Sequence, residues 1–90
     1  MPSIYNIYGY KISIWSNENN EAIHVHISKG RPTPNATKLW LYKNGTFHLE
    51  HNKSRIPENE LNEIIIFLNN NAKEIRDFWI AYMGYEKYVK

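Results

Sequence analysis

Ninety residues make one domain, with no room for a second. Hydrophobic residues at 42% and aromatics at 14% suffice for a core, which excludes a wholly disordered chain. With no cysteine there is no disulfide scaffold, thiolate zinc site, iron–sulfur cluster or cysteine nucleophile. No apolar run approaches a membrane span, and Met1 to Asn6 lack the charged and apolar regions of a signal peptide, so the expectation is a soluble, cytoplasmic protein.

The first elements read as strands. Ile4, Tyr5, Ile7, Tyr8, Tyr10, Ile12, Ile14 and Trp15 are β-branched or aromatic types broken by Gly9, which predicts strand, turn and strand over 3–15. A polar loop follows over 16–21. From Ala22 to Ser28 the chain alternates: Ile23, Val25 and Ile27 point one way, and His24, His26 and Ser28 the other, as in a half-buried strand. Gly30, Pro32 and Pro34 mark a second loop.

Residues 37–43 and 46–51 read as a fourth and a fifth strand around Asn44-Gly45, the sequence of a two-residue type I′ turn. That turn sets Lys43 opposite Thr46 and Trp40 opposite Leu49. Trp40, Tyr42, Phe47, Leu49 and His51 then share one face, expected in the core, while Leu39, Leu41, Lys43, Thr46, His48 and Glu50 share the other.

Pro57 and the acids after it suit a helix start. Leu61, Ile65, Leu68, Ala72, Ile75, Trp79 and Tyr82 recur at spacings of three and four, which predicts one long helix over about 58–83 with Gly84 as its stop. At 1.5 Å per residue it would be about 39 Å long, more than a small sheet can cover. With Ile66, Phe67 and Ile80 off the main stripe, this raises a homodimer or another protein on the helix as an expectation; the alternative is a helix kinked near Asn69-Asn70-Asn71, with everything packed within one molecule. The expected fold is α+β: a mainly antiparallel sheet of four or five strands with one long C-terminal helix on one face, a domain over 1–84 and a tail over 85–90.

Charge is unevenly spread behind the net +2. Between Lys29 and Arg55 six bases face Glu50 alone, net +5, whereas 58–77 carries net −3. Arg31, Lys38, Lys43, Lys53 and Arg55 are therefore candidate contacts to an acidic protein or to nucleic acid. Pairing of the basic and acidic segments within one molecule is the competing explanation.

His24 and His26, two apart on a strand, project from one face. They are candidates for proton transfer, or for a divalent metal held together with His48 and Glu50 if the third and fifth strands are neighbours. The alternative is that both imidazoles merely pack in the scaffold. Trp40, Tyr42 and Phe47 would stack on bases if exposed, although such spacing more often serves a core.

Ser16-Asn17-Glu18, Glu21 and His24-Val25-His26-Ile27, with Lys38-Leu39-Trp40-Leu41 and Trp79-Ile80-Ala81-Tyr82 later, make the chain resemble domain-of-unknown-function family 4160. The family's Pro-Pro before the histidines is Ala22-Ile23 here. The resemblance implies a small bacterial or phage protein, a candidate toxin–antitoxin component with a small partner encoded nearby, and emphasis on His24 and His26. Three functions follow as expectations: an interaction module using the basic strand surface, a small histidine-dependent ribonuclease with or without a metal, and a homodimeric binding protein without a nucleic-acid role.

Overall fold

The computed structural model describes residues 3–14, 20–30 and 34–90. Trp15, the Ser16-Asn17-Glu18 motif and Arg31 lie outside the described residues. The elements run β1 (Ser3–Ile7), β2 (Tyr10–Ser13), β3 (His24–Lys29), β4 (Thr37–Leu41), β5 (Phe47–His51), α1 (Glu58–Asn70) and α2 (Ala72–Met83). The five strands form one antiparallel sheet in the order β1-β2-β3-β4-β5, each paired with its neighbour in sequence. Ile12, Val25, Ile27, Leu39, Leu41 and Phe47 join Leu61, Ile64, Leu68, Ile75 and Trp79 of the helices in one buried core.

The two-residue turn with both residues at positive φ belongs to the first hairpin, at Tyr8 (φ 54°) and Gly9 (φ 78°), which sets Ile7 opposite Tyr10. The β4–β5 hairpin closes differently. Gly45 N–H donates to the Tyr42 carbonyl (3.0 Å) and Tyr42 N–H to the Thr46 carbonyl (2.8 Å), so the loop has three residues, Lys43-Asn44-Gly45. Within that loop Gly45 alone takes positive φ, at 89°. Asn44 uses its side chain instead: Oδ1 accepts from the Thr46 backbone N–H at 3.1 Å and from the Thr46 hydroxyl at 2.6 Å.

That extra residue moves the register by one. Leu41 now faces Phe47, Trp40 faces His48, and Leu39 faces Leu49, with a bulge before the Lys38–His51 pair. A one-residue slip exchanges the faces of a strand. The expected aromatic core face is therefore corrected: Leu39 and Leu41 are buried, Trp40 and Tyr42 are only partly buried, and of the five residues assigned to that face only Phe47 lies in the core.

The single long helix is also corrected, because it breaks at Asn71. Asn71 has φ −119° and ψ 17°, and its backbone N–H turns to the Leu68 carbonyl at 3.0 Å. Its side-chain Nδ2 donates to the Phe67 carbonyl (2.8 Å), taking the place of the backbone bond that a regular helix would make there. Next to it, Asn69 Oδ1 accepts from the Phe47 N–H at 2.8 Å and ties α1 to the edge strand β5. The apolar stripe keeps its phase across the break, with Leu68, Ala72, Ile75 and Trp79 all buried. The longest dimension of the molecule is 32 Å, so an unbroken helix of about 39 Å would overhang it.

As expected, α2 stops at Gly84, whose N–H returns to the Ile80 carbonyl at 2.8 Å. Residues 85–90 then lie back on the fold. Ile23 N–H donates to the Lys87 carbonyl (2.8 Å), Lys43 N–H to the Lys90 carbonyl (2.7 Å), and the Tyr85 hydroxyl to the Glu21 carbonyl (2.7 Å).

The register sets the cost of substitutions on β4. Leu39→Ala should cost about 2–5 kcal/mol. Tyr42→Ala, on the other face, should cost about 1 kcal/mol or less. Urea unfolding of the two variants checks this; equal losses would contradict the observed pairing.

Candidate functional site

The sheet's alternate face carries the polar side chains. β2 contributes Ser13, β3 His24 and His26, β4 Lys38 and Trp40, and β5 His48, with Ser13 opposite His26, His26 opposite Lys38, and His24 opposite Trp40. On β3 neither face is open. Every residue from His24 to Ser28 is buried, so the expected half-buried strand is a fully buried central strand.

His24 is 0% exposed. Its Nδ1 lies 2.8 Å from the Ala22 carbonyl, and its ring meets Trp40 and Trp79 edge-on, each at 5.3 Å between centroids. Trp79 belongs to α2, so this imidazole packs against the terminal helix instead of standing clear of it. His26 is 7% exposed, with its ring 5.0 Å from that of His24. Burial, reinforced by His24 and Lys38 and opposed by Glu21, holds the His26 imidazole down at about 3, with His51 adding to the depression.

Lys38 is already engaged. Its ammonium donates to Glu21 Oε1 at 2.8 Å and sits 4.3 Å from the centre of the Trp40 ring. The Trp40 indole N–H donates to Glu50 Oε1, also at 2.8 Å. His48 is exposed and stacks on Tyr42 with centroids 3.7 Å apart and planes at 24°. Its Nε2 lies 2.7 Å from the Thr46 hydroxyl.

The four metal candidates are not brought together. His24 and His26 stand on β3, His48 and Glu50 on β5, and β4 lies between them. Among the described residues no group of three or more His, Asp or Glu side chains is placed to hold a metal ion.

The basic candidates are likewise divided. Lys43 is exposed at the β4–β5 turn, and Lys53 and Arg55 are exposed beyond the other end of β5. Five residues of strand, about 17 Å, separate the two groups.

Alternation places His51 in the core, and the bulge on β5 moves it. It stands opposite Lys38, close enough to His26 for the two to repel when charged. Burial lowers its pKa, helped by Lys53 and opposed by Glu50. Glu21 and Trp79 stand out in the sequence as motif residues, but nothing in it pairs them with Lys38 and His24, because they lie in a loop and at the far end of the chain.

Such an arrangement defines a small antiparallel α+β domain with a covered histidine pair at its centre and a basic, aromatic rim. The chain belongs to the family described as Domain of unknown function (DUF4160), whose sequence model matches residues 9–80, from the first hairpin turn to the later part of α2. No curated protein and no solved structure matches the chain significantly. No helix among the described residues is long and apolar enough to cross a membrane.

The burial of His26 makes stability depend on pH. Above about 6.5 both the folded and the unfolded chain hold His26 neutral. Below that the unfolded chain takes up a proton that the folded chain refuses, down to about 3. Stability should therefore fall by about 1.4 kcal/mol per pH unit for this histidine on acidification, and His51 acts in the same direction. Urea midpoints between pH 6.5 and 5 check this, and His26→Gln should flatten the dependence.

Proposed function

We propose that the protein is a partner-binding module, one half of a bacterial or phage toxin–antitoxin pair, and not a nuclease. The observation that carries this reading is the burial of both histidines, His24 at 0% and His26 at 7% exposure. The His26 imidazole, held down at about 3, is neutral near pH 7 and too weak a base to take a proton efficiently from a ribose hydroxyl. His24 beside it is sealed between two tryptophans. Both histidines then serve the scaffold.

Binding falls to the exposed cations. Lys38 is occupied by Glu21, whereas Lys53 and Arg55 on the β5–α1 connection are exposed. The partner they suit is a small acidic protein, encoded nearby, met through rim charges that set association rate and salt response.

Co-expression with the product of the adjacent open reading frame tests the reading. A stable complex is expected. Lys53→Glu with Arg55→Glu should weaken it at least tenfold at low salt, and His26→Gln should leave it intact. RNA decay by the purified protein that His26→Gln abolishes would replace this reading with the enzymatic one.

A second reading, a homodimer, is favoured by the helices. Phe78 and Tyr82 are exposed and stacked on each other, and Ile66 is 56% exposed. Sedimentation should then show a concentration-dependent dimer that Phe78→Glu disperses.

A further inference from the structure

The register of the second hairpin puts on the surface rings that the sequence pattern assigns to the core. Tyr42 is partly exposed, and His48, stacked on it at 3.7 Å, is exposed. Trp40, opposite His48 across the strand pair, is partly exposed too.

The Tyr42–His48 stack is held from below. Tyr42 is fixed by both backbone bonds of the turn, to Gly45 and Thr46. The Thr46 hydroxyl proton goes to Asn44 Oδ1, so His48 Nε2–H is the donor to the Thr46 oxygen. The two rings are thus oriented before anything binds.

A basic groove begins at the same tyrosine. Tyr42, Lys43, Asn44 and Lys90 line an open depression of about 410 Å³. It continues past Lys43 and Lys90 into a second, of about 470 Å³, which Lys87, Glu86 and Tyr88 complete. The backbone bond from Lys43 N–H to the Lys90 carbonyl keeps the two lysine-bearing segments side by side. Of the three lysines along this track, Lys87 donates to the Asn20 carbonyl at 3.0 Å, Lys43 and Lys90 are exposed, and the one side-chain carboxylate, Glu86, accepts from the Tyr88 hydroxyl.

Stacked rings continuous with a lysine-lined groove match a single strand of nucleic acid, which offers unpaired base faces and a row of phosphates together. A duplex offers the phosphates but keeps its bases stacked inside. An acidic polypeptide offers the charge but no base faces.

We propose that the tip of the β4–β5 hairpin and residues 87–90 bind single-stranded nucleic acid, with bases stacking on Tyr42 and His48 and phosphates lying along Lys43 and Lys90. The inference adds a second surface to the binding-module reading, away from Lys53 and Arg55. Either can fail without the other, because the hairpin surface is read with oligonucleotides and the Lys53–Arg55 surface with the partner protein.

Fluorescence anisotropy with labelled twelve-nucleotide oligo-uridine and oligo-thymidine, the matching duplexes and a poly-glutamate peptide, from 50 to 200 mM salt, tests it. Both single strands should bind at least tenfold more tightly than the duplexes or the peptide. With two phosphates engaged, the logarithm of affinity should fall against that of salt with a slope of about −1.4. His48→Ala with Tyr42→Ala should lose roughly tenfold or more. Lys43→Glu with Lys90→Glu should abolish the salt-dependent part. Circular dichroism confirms that each variant is folded. Absent or salt-independent binding, equal binding of duplex and single strand, tighter binding of poly-glutamate, or a folded Tyr42→Ala, His48→Ala variant with unchanged affinity would each overturn the proposal.

Discussion

Pairing between β4 and β5 depends on one turn, and much of the surface chemistry depends on that pairing. A two-residue loop at Asn44-Gly45 and a three-residue loop at Lys43-Asn44-Gly45 differ by a single pleat. The first would put indole and phenol rings under the helices; the second puts Leu39 and Leu41 there and turns Trp40 and Tyr42 away. Asn44 decides between them. A positive φ at Asn44 would close the tighter loop, but its side-chain oxygen instead satisfies Thr46 twice, leaving positive φ to Gly45. The local hydrogen bonds and the fit of two leucines against the helices favour the same register.

The second constraint is length. A sheet of five short strands offers less cover than a helix of seven turns needs, and three consecutive asparagines resolve the conflict. Two of their amides divide the work. Asn69 satisfies the Phe47 N–H at the sheet edge, and Asn71 satisfies a helix carbonyl where the backbone departs from helical geometry. The break therefore costs few hydrogen bonds. The stripe resumes in phase at Ala72, so α2 continues the contact surface that α1 begins.

The elements themselves were legible because each carries a periodic apolar pattern. The strands fall where β-branched and aromatic residues cluster, the helical region spans the three-four repeat, and Gly84 ends it. The exact register was not legible, since Asn-Gly is compatible with both loops and the choice lies in a side-chain hydrogen bond. The three asparagines offer a kink as the alternative to one long helix, but the phase continuity of the stripe argues for the unbroken one. At the candidate site, alternation placed His24 and His26 on one face correctly, but it carries no information on what covers that face. Trp79, fifty-five residues further along, closes over His24. The bulge that turns His51 toward Lys38 is equally invisible, because no residue type marks it.

Residues 85–90 bond to the backbone of Ile23 and Lys43, more than forty residues away in each case. The sheet is otherwise a meander of local pairings, which close at low entropic cost as the chain grows. Its centre and its hairpin end are fastened by this last, distant segment. During synthesis the strands have the chance to pair early, while the clasp over Ile23 and Lys43 must wait until residues 87–90 have emerged from the ribosome.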